Sequence, residues 1–181
     1  MKFISAFSCI LVAAAHLAQA KEPPTPPWRV DPHNTGTITV PADIRQVVNM
    51  ELDLDYRKSD AIKGVAGDLN GDGITDYLLQ SAQSLCGTGG CVYVLYDGAT
   101  RRKIGEFFGN PLIVRAERVH GYVNIATYSH SNAGSGVYTE YSFDGRAYVV
   151  TSGQRVEGAA VDRLFETQLG VPFWPPQRSR P

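Results

Sequence analysis

The chain has 181 residues, with 17 Lys+Arg against 18 Asp+Glu for a net charge of −1, and 43% of its residues are hydrophobic. So balanced a charge provides no electrostatic footprint for nucleic acid or for an anionic membrane surface. The length suits one domain with a real core, because a chain of about 150 residues buries roughly two-thirds of its unfolded surface.

In chain order, Met1-Lys2 leads into an apolar stretch from Phe3 to Leu17, then Ala18-Gln19-Ala20, and the chain turns polar at Lys21-Glu22. This pattern predicts a secretory signal peptide over residues 1–20, cleaved after Ala20. The apolar run is shorter than the roughly 20 residues of a spanning helix, so no membrane anchor is expected. Cys9 has no Leu three positions upstream, as a lipoprotein signal would, and leaves with the peptide. Cleavage removes Lys2 and leaves 161 residues with 16 Lys+Arg against 18 Asp+Glu, a net charge of −2. The mature protein is expected in the periplasm or outside the cell.

Residues 21–40 contain Pro23, Pro24, Pro26, Pro27 and Pro32, a composition that favours extended backbone and predicts a tether. A single domain is expected over 41–172. Ile44, Val47 and Val48 fall at i, i+3, i+4 with Asp43 near the start, which predicts a short helix. From Gly64 to Thr151, runs of Val, Ile, Tyr and Phe are punctuated by Gly and Asp-Gly pairs. Strands are predicted at 74–80, 91–96, 103–108, 122–128, 137–143 and 146–151, with hairpin turns at Asp97-Gly98 and Asp144-Gly145. Tyr93 and Tyr96 differ by three, as do Tyr138 and Tyr141, so each pair points to opposite faces of a sheet. Val161, Leu164, Phe165 and Leu169 form the apolar stripe of a second helix, stopped by Gly170 and Pro172, and a Pro-rich tail follows over 173–181. The predicted fold is α+β, mainly an antiparallel sheet with a short N-terminal and a C-terminal helix.

Residues 68–76 read Asp-Leu-Asn-Gly-Asp-Gly-Ile-Thr-Asp. Asp68, Asn70, Asp72 and Asp76 place side-chain oxygens at loop positions 1, 3, 5 and 9, and the carbonyl of Ile74 can face an ion after the turn at Gly73. Three carboxylates and an amide suit Ca²⁺, a hard cation that takes six to eight oxygens, rather than zinc. Asn70-Gly71 and Asp72-Gly73 are also turn signals, but a plain turn leaves Asp68 and Asp76 unexplained. The stretch resembles the Asp-x-Asn-x-Asp-Gly-x-x-Asp calcium motif of FG-GAP and integrin-type repeats and of dockerin-like modules. It departs from an EF-hand at the twelfth position, where Leu79 replaces the bidentate Glu. The resemblance covers about residues 64–80 and implies the calcium loop. It does not imply the propeller of that family, for which the chain is too short.

Cys86 and Cys91 are the two cysteines of the mature chain and enclose Gly87-Thr88-Gly89-Gly90. An even count in an oxidising compartment predicts a disulfide between them, and the three glycines let so short a loop close. A calcium loop followed by Cys-Gly-Thr-Gly-Gly-Cys resembles uncharacterised bacterial exported proteins, a similarity that implies no activity.

For catalysis the candidate is His130 within Tyr128-Ser129-His130-Ser131-Asn132, a base beside two hydroxyls at the end of a predicted strand. A hydrolase would need Ser129 or Ser131 as nucleophile within hydrogen-bond reach of His130, together with an oxyanion site. The leading expectation is a non-enzymatic calcium-binding or structural module of the cell envelope, whose partner is a protein or another envelope component. The alternatives are that small exported hydrolase and an inhibitor of cell-wall hydrolases.

Overall fold

The computed structural model describes residues 25–33, 35–51 and 61–173. The expected signal peptide and the tail from residue 174 lie outside the described residues. In chain order the elements are β1 (Trp28–Val30), β2 (Thr37–Thr39), α1 (Ala42–Glu51), β3 (Ala61–Gly67), β4 (Asp76–Gln80), β5 (Cys91–Tyr96), β6 (Lys103–Gly109), β7 (Leu112–Val119), β8 (Tyr122–Asn132), β9 (Ser135–Phe143), β10 (Tyr148–Glu157) and α2 (Ala159–Thr167). The strands form two five-stranded sheets, β2-β3-β4-β5-β6 and β1-β7-β8-β9-β10. Every pairing between them is antiparallel. The fold is α+β as expected, with one helix near each end of the described chain.

The period-two alternation of a strand sorts side chains into layers. On β5, Cys91, Tyr93 and Leu95 enter the core between the sheets, where they meet Trp28, Leu78, Phe107, Leu112 and Ile125. Val94 and Tyr96 point the other way and are covered by Ile44 and Val48 of α1. On the far side, Val161, Leu164 and Phe165 of α2 pack on Ile113, Ala126 and Tyr128. The layers therefore run helix, sheet, sheet, helix. Each fully buried large apolar side chain contributes about 1.5–3 kcal/mol relative to exposure. Tyr93 and Tyr96 do fall on opposite faces, as do Tyr138 and Tyr141. Among the described residues no helix is long and apolar enough to cross a membrane.

Several expectations need correction. The reading of residues 21–40 as a tether does not describe 28–30 or 37–40. Trp28 and Val30 are buried in the core, and Ile38 and Val40 pack under α1. Alternating apolar residues among the prolines complete an edge of each sheet. The C-terminal end of the described chain is stapled to this segment. The Arg29 N–H donates to the Pro172 carbonyl at 2.8 Å, its Nη1 donates to the Leu169 carbonyl at 2.6 Å, and its guanidinium lies 3.8 Å from the centre of the Phe173 ring. Strand β7 was not anticipated. Its first three residues are buried, but its second half, Arg115 to Val119, projects beyond the core and carries charge. Val47 is 44% exposed, so of the predicted stripe Ile44, Val47 and Val48 the helix α1 buries Ile44 and Val48.

Cys86 and Cys91 are disulfide-bonded, with Cα atoms 4.2 Å apart. Gly87 and Gly90 exchange N–H···O bonds of 2.9 and 3.1 Å inside that ring, which anchors the start of β5.

Candidate metal site

The loop between β3 and β4 is curled by its own side chains. Asp68 Oδ1 accepts the N–H of Asn70 at 3.3 Å and of Gly71 at 2.6 Å, while Oδ2 accepts that of Gly73 at 2.9 Å. Asn70 Oδ1 accepts from the Asp72 N–H at 2.9 Å, and Asp72 Oδ1 from the Ile74 N–H at 2.7 Å. The bonds from the N–H groups of Asn70, Asp72 and Ile74 are side-chain-to-backbone turns two residues apart, the geometry that short acidic and amide side chains favour. Gly71 and Gly73 supply the left-handed φ of +85° and +82° that the curl requires. Burial works against the Asp68 charge, but the N–H groups of Gly73, Gly71, Asn70 and Asp72 outweigh it and hold the carboxyl below its ordinary value.

Asp76 closes the loop opposite Gly67 in the β3–β4 ladder. It is 0% exposed. Its Oδ2 accepts the Leu69 N–H at 2.9 Å and its Oδ1 the Gly98 N–H at 2.8 Å. Burial pushes its carboxyl up to about 6, against those two N–H bonds and with added repulsion from Asp97 and Asp72. Among the described residues no ion pair reaches it. The bond to Gly98 requires the β5–β6 turn to lie under the loop. A Cβ on Gly98 would sit 1.9 Å from the Thr75 carbonyl oxygen, so this position admits only glycine.

Residues distant in sequence complete the site. Asn70 Nδ2 donates to the Tyr122 hydroxyl at 2.9 Å and to Asp72 Oδ2 at 3.0 Å, and Tyr122 donates in turn to Asp97. Asp97 also accepts the Thr100 N–H and hydroxyl. Burial raises the Asp97 carboxyl, but the bonds from Thr100 and Tyr122 outweigh it and leave it below the ordinary value. The Tyr122 hydroxyl is pushed well above its own range by burial and by Asp97. Arg118 Nη1 donates to the carbonyls of Leu69 and Gly121, each at 2.8 Å, and the buried Leu69 side chain roots the loop in the core. None of Asp97, Tyr122 or Arg118 was singled out from the sequence for this site. Asp97 reads there as a turn residue and Tyr122 as a strand aromatic.

Among the described residues no group of three or more His, Cys, Asp or Glu side chains is arranged to hold a metal ion. The carboxylates of Asp68 and Asp76 are directed at backbone N–H groups, and Ile74 lies at the outer lip with its side chain exposed. The donor chemistry of the loop nevertheless fits a hard cation. Asp68 Oδ2 and both carboxylate oxygens of Asp72 and of Asp76 each accept one N–H bond and keep a second lone pair, and a buried Asp76 charge is costly without a countercharge.

His130 lies within β8, which runs on past the predicted strand end at 128, and pairs with Gly136. Its exposed ring meets the Tyr128 ring edge-on at 4.8 Å and stacks with that of Phe165 at 6.5 Å. Strand alternation sends the neighbouring Ser129 side chain to the other face of the sheet. Among the described residues no hydrogen bond ties His130 to a hydroxyl or a carboxylate.

No family model matches this chain, and neither does any curated protein or solved structure.

Proposed function

We propose that the protein is an exported calcium-binding module of the cell envelope, which acts by binding a protein or another envelope component without catalysing a reaction. The observation that carries this reading is Asp76, a buried carboxylate with no ion-pair partner among the described residues, at the closing end of a loop that Asp68, Asn70 and Asp72 curl on themselves. Calcium there would take oxygens from Asp68, Asn70, Asp72 and Asp76 and from the Ile74 carbonyl, and would supply the missing countercharge. Asp72 lies exposed on the outer turn of the loop. The Cys86–Cys91 bond supports an oxidising compartment, in keeping with the signal peptide expected over residues 1–20.

With no bidentate ligand at the twelfth position, the expected affinity is modest, about 10⁻⁴ to 10⁻³ M. Calcium at about 100 times the dissociation constant stabilises a folded state by about 2.7 kcal/mol. The melting temperature is therefore expected to rise in excess calcium and to return with chelator, and Asp72→Ala is expected to abolish that response. Equal melting temperatures with calcium and chelator, without heat of binding in calorimetry, would refute the proposal.

A further inference from the structure

Beside the loop, the ends of the two sheets leave a cleft of about 410 Å³, within the size range of small-molecule sites. Its lining includes Asp72, Asp97, Tyr122, Phe143, Arg102 and Arg146, drawn from the loop, the β5–β6 turn, the start of β8 and the β9–β10 hairpin. These four segments meet only in the folded protein. The two acids are already engaged: Asp97 by Tyr122 and Thr100, and Asp72 by Asn70 and the Ile74 N–H. The two arginines are exposed, and among the described residues no hydrogen bond or ion pair holds the Arg102 guanidinium. Phe143 forms a fixed apolar wall, its ring 4.5 Å from that of Tyr122 and 5.7 Å from that of Tyr148.

We propose that this cleft binds a small ligand carrying a carboxylate beside an apolar face, the carboxylate taken by Arg102 and Arg146 and the face laid against Phe143. A guanidinium offers parallel N–H donors that match a carboxylate, and it binds one more strongly than it binds a neutral hydroxyl. An acidic sugar and an aromatic acid share this chemistry. The inference does not rest on the calcium reading, since neither arginine nor Phe143 belongs to the loop.

The test is calorimetric titration of the exported protein in chelator, so that calcium plays no part. D-glucuronate is compared with D-glucose, and benzoate with benzyl alcohol. At least one acid is expected to bind with a dissociation constant of about 1 mM or tighter, at least about tenfold more tightly than its neutral counterpart. The acid that does so identifies the source. Arg102→Gln and Arg146→Gln are each expected to weaken binding about tenfold and to leave the melting temperature unchanged, because both side chains are exposed. The proposal is overturned if neither acid binds, if the neutral counterparts bind equally well, or if both arginine variants retain full affinity.

Discussion

Asp68 and Asp76 stand at the two ends of one loop in opposite environments. Asp68 faces solvent with several N–H groups aimed at it, so its charge is favoured, whereas Asp76 is sealed beneath the loop with two N–H groups and two acidic neighbours, so its charge is opposed. Between them runs the chain Asn70–Tyr122–Asp97, in which one phenol hydroxyl links the loop to the β5–β6 turn. Tyr122→Phe removes that hydroxyl and leaves the buried Asp97 carboxylate short of a donor, at an expected cost of about 1–3 kcal/mol at neutral pH. The folded Asp97 carboxyl lies below its unfolded value, so the stability it contributes is present above about pH 4 and is lost as the pH falls through the folded value. The difference between wild type and Tyr122→Phe in urea unfolding is therefore expected to shrink below pH 4. A difference independent of pH would show that the hydroxyl acts through packing alone.

Two turns that look alike in sequence, Asp97-Gly98 and Asp144-Gly145, prove to be different elements. In the second, Gly145 takes a left-handed φ of +98°, and Asp144 accepts the N–H groups of Arg146 and Ala147 across the hairpin. In the first, the left-handed residue is Arg101, at φ +61°, and the turn is closed by Asp97 N–H to Arg102 carbonyl and Arg101 N–H to Asp97 carbonyl bonds. Gly98 is needed for a different reason, the approach of the Thr75 carbonyl. The same substitution should therefore have unequal effects. Gly145→Ala has open space around it and is expected to cost about 1 kcal/mol for its backbone conformation. Gly98→Ala must push two backbone segments apart and is expected to cost about 3 kcal/mol. Denaturant unfolding checks the order, and an equal cost at both sites would mean that the β5–β6 turn does not lie against the loop.

For the molecule as a whole, the strap ahead of α1 closes both sheets. β1 lies beside β7, with Trp28 opposite Val114, and β2 lies beside β3, with Ile38 opposite Ile62. Trp28 is among the largest fully buried side chains. Trp28→Ala is expected to destabilise by about 3–5 kcal/mol, a large share of the roughly 5–15 kcal/mol that holds a domain together. A loss below about 1 kcal/mol, measured by thermal or denaturant unfolding, would return residues 25–40 to the role of a tether.

What could be read from the sequence was what neighbouring residues decide. The curl of residues 68–76, the strands 91–96 and 103–108, the terminal helix and the Cys86–Cys91 bond all depend on contacts within a few residues, where alternation, left-handed glycines and short polar side chains act directly. The helix α1 was legible for the same reason, although which of its apolar residues faces the sheet was not. The tertiary structure alone decided that β1 crosses to pair with β7, that Gly98 and Tyr122 meet the loop from other segments, and that among the described residues no hydroxyl is hydrogen-bonded to His130. The first two are contacts between distant segments, and the third is the lack of one. No local period encodes such contacts, because they follow from burying two sheet faces against each other and each outer face under a helix.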